Sequence, residues 1–185
     1  GDVYKRQIMN TDIAIVGMSC RFPDADSIGA YWENLKEGKQ SIKKLSEEEL
    51  KLSGISDTLY NQENYVRAAS YISDIEHFDA GFFKYSPREA AILDPQQRIM
   101  LELSHEALES AGYNSEYNTQ NVGVFMGSGY NQYLLKNILR GRSITDNSEE
   151  FFIQTSNDKD YLASRISYKL NLHGPSVNIQ TAVSY

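Results

Sequence analysis

Cysteine is almost missing from this chain. Its 185 residues include one, Cys20, so neither an internal disulfide nor a cysteine-based metal site can form. A reducing cytoplasm is the simple reading. Long apolar runs are also absent: none approaches the roughly 20 residues that span a bilayer, and no signal-peptide pattern opens the sequence. Membrane is therefore not an expected partner. Positive charge is in deficit, with 18 Lys and Arg against 25 Asp and Glu and a net charge of −7. That balance disfavours nucleic acid and anionic surfaces. Repeats, low-complexity tracts and linkers are lacking too. What remains is an ordinary globular composition, 41% hydrophobic and 23% charged, long enough for one cored domain or part of a larger one.

The periodicity alternates between strand and helix. Residues 12–17, Asp-Ile-Ala-Ile-Val-Gly, form a short apolar run that suits a strand covered on both faces. Ser27 is placed to cap a helix reaching about Glu37, with Gly38 at its end and Trp32 and Leu35 on its buried side. A short helix is expected near Ser46, where Glu47, Glu48 and Glu49 suit an N-terminus. The strongest helix signal begins at Asp94, with Pro95 at the first helical position and Gln97 completing a capping-box arrangement. Met100, Leu103, Ala107, Leu108 and Ala111 follow as its apolar stripe, and Gly112 stops it. A second buried strand is predicted over 122–126, a helix from Lys159 to about Leu170, and a last strand over 176–181. Strands separated by helices indicate a layered α/β arrangement, with the three strands in one mostly buried sheet.

Few residues carry chemistry by themselves. His77 precedes the Phe78-Asp79 loop, His105 sits inside the long helix, and His173 precedes the Gly174-Pro175 turn. Surface, packing and loop roles fit them in that order. Without acidic or cysteine companions in a recognisable arrangement they imply no metal site. Cys20 follows the first predicted strand with no histidine near it in sequence, which suits a packed, inert thiol. Gly127-Ser128-Gly129 lacks the third glycine of a dinucleotide loop, because Gln132 stands there. Glu149 and Glu150 read as a helix start, and Ser86-Pro87-Arg88-Glu89 as polar structural support.

Several blocks, taken in order, resemble the β-ketoacyl synthases, and most closely the ketosynthase domains of modular polyketide synthases. They are residues 13–23, Phe78–Phe83, Ser86–Ala90, Asp94–Arg98, Asn157–Tyr168 and the run Gly174–Ala182. The resemblance spans about residues 10–182 and implies a thiolase-like α/β layered fold, of which this chain supplies most of the N-terminal half. It also implies a cysteine that takes an acyl group from a carrier protein, while malonyl-carrier protein loses CO₂ to give the attacking carbanion equivalent. Two histidines serve decarboxylation and condensation in the family, and both belong to the half not represented here. No cofactor is expected to bind directly, since substrates ride on the phosphopantetheine of an acyl carrier protein. The full-length parent is expected to be a cytoplasmic homodimer. Met126, just before the glycine pair, corresponds to a position facing the acyl pocket. A chain without the second half is expected to expose apolar surface and to aggregate or fold weakly.

One departure matters most. The family pattern continues Thr-Ala-Cys-Ser, whereas this chain reads Thr181-Ala182-Val183-Ser184-Tyr185. Val183 stands at the nucleophile's position without a nucleophilic atom. Both ends have a second source: residues 2–7 translate GATGTGTATAAGAGACAG, a transposon end used as a sequencing adapter, and residues 182–185 match its reverse complement. Residues 1–7 and 183–185 are thus expected to be adapter-derived scars around a domain fragment at 8–182, and the chain as written is expected to be inactive. The alternative is a degenerate, non-catalytic ketosynthase-like module kept for dimerisation or carrier-protein docking.

Overall fold

Local capping sets most of the helix boundaries. Ser27 accepts from the Ala30 amide, and Gly38, at a left-handed φ of 64°, closes α1 (Ile28–Glu37). Ser46 and Ser86 each open a helix through a complete capping box, with Glu49 for α2 (Glu47–Leu52) and Glu89 for α4 (Pro87–Ile92). A single helical turn, α3 (Asp57–Tyr60), lies between strands β1 (Lys43–Lys44) and β2 (Ala68–Ala69), which pair antiparallel. Asp94 and Pro95 then start α5 (Pro95–Ser110). Beyond it come β3 (Val124–Met126), a π-helical turn (Leu134–Ile138), α6 (Asn147–Asn157), a 3₁₀ turn (Lys159–Tyr161), α7 (Leu162–Lys169) and β4 (Ser176–Asn178). The computed structural model describes residues 13–113, 121–141, 143–144 and 146–181. Residues 1–7 and 183–185, Val183 among them, lie outside the described residues.

The centre is a parallel pair. β3 and β4 align Val124 with Ser176 and Met126 with Asn178, and α7 packs across both. Right behind lies the core: Leu93, Leu101, Val124, Leu162, Ala163, Ile166, Leu170 and Leu172. A smaller cluster of Ile92, Ile138 and Ile153 sits beside it. Asn157 joins the surrounding segments: its buried amide donates to the Ile92 carbonyl at 3.0 Å and the Ile153 carbonyl at 2.9 Å. Asn131 in turn donates to the Asn157 backbone carbonyl at 3.0 Å.

Three sequence expectations change here. The 12–17 run forms no strand among its described residues, and Ile13 and Ile15 are 93% and 81% exposed. An apolar run is buried on both faces only where layers cover both, and the described helices back just one side. The segment is nevertheless held to α5. A Cβ on Gly17 would come within 2.4 Å of the Ala107 carbonyl oxygen, Ser19 donates to the Leu103 carbonyl at 2.6 Å, and Arg21 pairs with Glu102 at 2.8 Å. The strands are also shorter than 122–126 and 176–181, and partly exposed rather than mostly buried. Finally, Trp32 and Leu35 face solvent, 59% and 54% exposed, because no buried residue of α1 anchors it to the core.

On α5 the capping box is incomplete. Asp94 accepts from the Gln96 amide, while its own N–H donates to the Ser156 carbonyl instead of to Gln97. Gln97 is drawn inward, donating to the Asp158 carbonyl and accepting from Arg165 Nε at 2.6 Å. The expected stripe is only partly buried; Leu101, outside it, is completely buried, as is Gln97.

Phe125, Val177 and Ile179 are exposed on the strand pair's outer face, with Ile13, Ile15 and Val16 also uncovered. Such a patch favours self-association. Sedimentation velocity is expected to show species heavier than the 21.0 kDa chain, growing with concentration. A single 21.0 kDa species at every concentration would contradict this.

The α4 cap gives a pH signature. Hydrogen bonds from the Ser86 amide and hydroxyl hold the Glu89 carboxyl below its ordinary value of 4.5. A depressed folded-state value means stability present above that ordinary value and lost as pH falls through the lower folded one. Glu89→Gln is expected to flatten the acid limb of a urea-midpoint profile, and Ser86→Ala to cost about 1 kcal/mol near neutrality. An unchanged acid limb in Glu89→Gln would refute the linkage.

Candidate functional site

The carboxyl ends of parallel strands are where α/β folds gather their chemistry. Here the ends of β3 and β4 lie side by side, and the Ile179 amide extends their ladder by donating to the Met126 carbonyl at 2.7 Å. Gly127 permits this approach, since a Cβ there would lie 2.9 Å from the Ile179 carbonyl oxygen. That contact, with the Gly129 amide donating to Gln96 Oε1 at 2.8 Å, gives the glycine loop a packing role in place of a phosphate-binding one.

Asn178 fixes the other strand end. Its Oδ1 accepts from the Ala163 amide at 3.0 Å, in the first turn of α7, and its Nδ2 donates to the Asp160 carbonyl. Ser176 and Ser167 hydroxyls meet at 2.6 Å two register steps away. β4 is thereby aligned along α7, and residue 181 is the last one described. Arg165 secures the opposite side of α7, donating to Gln97, to the Tyr85 hydroxyl at 3.4 Å and to the Thr155 carbonyl. Neither Asn178 nor Arg165 stood out by residue type. Their signal was polarity where the helical and strand patterns run into the core.

Met126 is partly buried against the core and lines a cavity of about 660 Å³. Its walls run along residues 14–17 and 121–126, with Leu108 and Ile166 behind. The structure thus places Met126 at an apolar cavity. It does not bring any histidine there.

The other candidates sort simply. His105 packs on Phe82, ring centres 4.8 Å apart, and lies 3.5 Å from Glu109; His173 is exposed. His77 does have acidic companions, contrary to the sequence reading: its ligand atom and those of Asp74 and Glu76 lie within 4.8 Å of one another, all three residues being exposed. Cys20 is partly buried, and burial, then the Glu106 carboxylate, push its thiol pKa up. A raised value disfavours the reactive thiolate. Burial also raises Asp94, against the lowering pull of the Gln96 hydrogen bonds and Arg98. Lys169 is lowered, chiefly by burial; its ammonium lies 3.7 Å from the Tyr85 ring centre. Glu47–Glu49 and Glu149–Glu150 occupy first turns of helices, as expected. Among the described residues no helix is long and apolar enough to cross a membrane.

The parallel strand pair with a helix laid across it fits within the thiolase-like fold of solved ketosynthase domains. Ketosynthase twelve of the bacillaene polyketide synthase from Bacillus amyloliquefaciens superposes with a TM-score of 0.77 at 34% identity, over 91% of this chain and 29% of that one. Residues 10–184 match the family described as "Beta-ketoacyl synthase, N-terminal domain". The chain belongs to the β-ketoacyl synthase family. Among curated relatives, it is 44% identical over 178 residues to a phenolphthiocerol/phthiocerol polyketide synthase protein of Mycobacterium tuberculosis, covering 93% of this chain and 12% of that protein. Polyketide synthase PksN of Bacillus subtilis is 37% identical over 175 residues, covering 93% of this chain and 3% of that protein. The chain therefore spans only a small part of these relatives' length.

Proposed function

We propose that this chain is the N-terminal part of a polyketide ketosynthase whose full-length parent performs decarboxylative Claisen condensation. In that reaction a cysteine thiolate attacks an acyl thioester, the carrier's phosphopantetheine thiol leaves, and the enzyme holds the acyl group. Malonyl-carrier protein then loses CO₂, its α-carbon forms the new C–C bond, and the cysteine thiolate departs. The single observation that supports this reading most is the register of β4 beside β3, with the ladder continued by the Ile179 amide onto the Met126 carbonyl at the glycine loop. A cysteine at a strand-to-helix corner has its thiolate stabilised by free backbone N–H groups and the helix dipole. Its own amide can help form an oxyanion hole.

Met126 is assigned to the acyl pocket, supported by its place on the apolar cavity. Val183 is assigned to the nucleophile's position, incompetent as valine. Residues 1–7 and 183–185 are assigned to adapter sequence. An acyl carrier protein is the partner, the parent is a cytoplasmic homodimer, and no cofactor binds directly.

Resequencing the source DNA beyond Ala182 tests this. Cysteine followed by the rest of the domain is expected. Val183 in an unbroken natural gene would instead favour a degenerate dimerisation or carrier-docking module, the reading that the valine itself supports.

A further inference from the structure

Among the described residues, one buried side-chain polar atom has no hydrogen-bond partner: Nε of Arg98. Arg98 lies in the first turns of α5 and is only 7% exposed. A guanidinium stays charged at any working pH and carries five donors. No ion pair within 4.0 Å involves it among the described residues. The nearby carboxylate of Asp94 feels the Arg98 charge but makes no hydrogen bond with it, accepting instead from the Gln96 backbone at 2.9 Å and the Gln96 amide at 3.2 Å. The Tyr133 ring, its centre 5.8 Å from the guanidinium carbon, offers a π face. That contact leaves the in-plane N–H groups unfilled.

Arg98 lines a cavity of about 620 Å³ whose apolar wall includes Ile75, Phe78, Pro87 and Tyr133. The Tyr133 hydroxyl donates to the Ala91 carbonyl at 2.6 Å, which fixes the ring and that wall. Apolar sides around one convergent charged group are the usual make-up of a small-molecule pocket, and the volume falls within the common range. One acidic group, the exposed Glu76, also lines it. A second negative charge on a ligand would meet that carboxylate, so a monoanion fits better than a phosphate dianion.

We propose that this cavity binds a small monocarboxylate with an apolar body, its carboxylate accepting from Arg98 and its body lying against Phe78, Pro87 and Tyr133. The proposal is independent of the ketosynthase reading, since it uses neither Val183 nor the strand ends.

Ligand-observed NMR with 3-phenylpropionate on the 185-residue chain provides the test, because it reads self-associated protein as well as monomer. Saturable binding is expected with a Kd of about 1–5 mM, suited to a ligand of about eleven heavy atoms. The uncharged 3-phenylpropionamide is expected to bind at least roughly tenfold more weakly, as is the acid to Arg98→Met. Ala91→Trp, which narrows the cavity and leaves Arg98 in place, is expected to weaken binding too, and it serves if Arg98→Met does not fold. Absence of saturation, equal binding of acid and amide, or unchanged binding in the variants would each overturn the proposal. Tighter binding of inorganic phosphate at the same cavity would overturn the monocarboxylate assignment.

Discussion

Incubated with an acyl group carried on phosphopantetheine, the 185-residue chain is expected to gain no acyl mass. Valine offers no lone pair on its side chain, so no thioester can form at residue 183. Loss of a catalytic nucleophile typically costs about 10⁶-fold in rate, leaving turnover below detection. Cys20 is not expected to substitute for it, because burial and then the Glu106 carboxylate push its thiol pKa up and disfavour the thiolate. On the proposed reading, Val183→Cys alone is expected to leave condensation at zero, because that reading assigns decarboxylation to histidines of a second half. A chain continued after Ala182 with the cysteine and second half that the proposed reading assigns to the parent is expected to show loading and then chain extension. Intact-mass spectrometry followed by peptide mapping reads each step. Stoichiometric acylation of the unaltered chain, mapped to Cys20, would defeat both the inactivity and the inert reading of that thiol.

The second large effect lies in the core. Leu101→Ala is expected to cost about 3–5 kcal/mol, a large part of the roughly 5–15 kcal/mol that holds a domain folded. Leu101 is fully buried among Leu93, Leu162 and Ile166, so the methyl groups removed leave a void that a close-packed interior fills poorly. Trp32→Ala is expected to cost less than about 1 kcal/mol, because the indole is largely solvated. Urea-midpoint shifts compare the two directly. A larger loss from Trp32 than from Leu101 would reverse the assignment of the core.

That contrast marks what the sequence could disclose. Helix starts at Ser27, Ser46 and Asp94 were readable because a cap is local, each finding its partner within three residues; Ser86, read as polar support for a loop, also opens a helix. The two strands were legible as short segments and the family from ordered blocks, whereas their parallel pairing was not. Burial was not, since whether Trp32, Ile13 or Ile15 is covered depends on layers that no local pattern encodes. Leu101 escaped notice because it lies beside the i, i+3, i+4 stripe, on the side that α7 happens to cover. Gln97 fitted a capping box by spacing, yet Arg165, 68 residues away, claims its oxygen. Of the site, residue 183 is known from the motif alone, since it lies outside the described residues. The clamp of Asn178 onto α7 required the fold.

Synthesis on the ribosome gives the β3–β4 register a temporal side. Val124 is translated roughly fifty residues before its partner Ser176. At about 5–20 residues per second, β3 waits roughly 3–10 s with both edges open. α7, which covers both strands, is completed only shortly before β4. A chaperone that shields Val122–Met126 during that interval would therefore raise the yield of correctly paired chains more than one that acts after release.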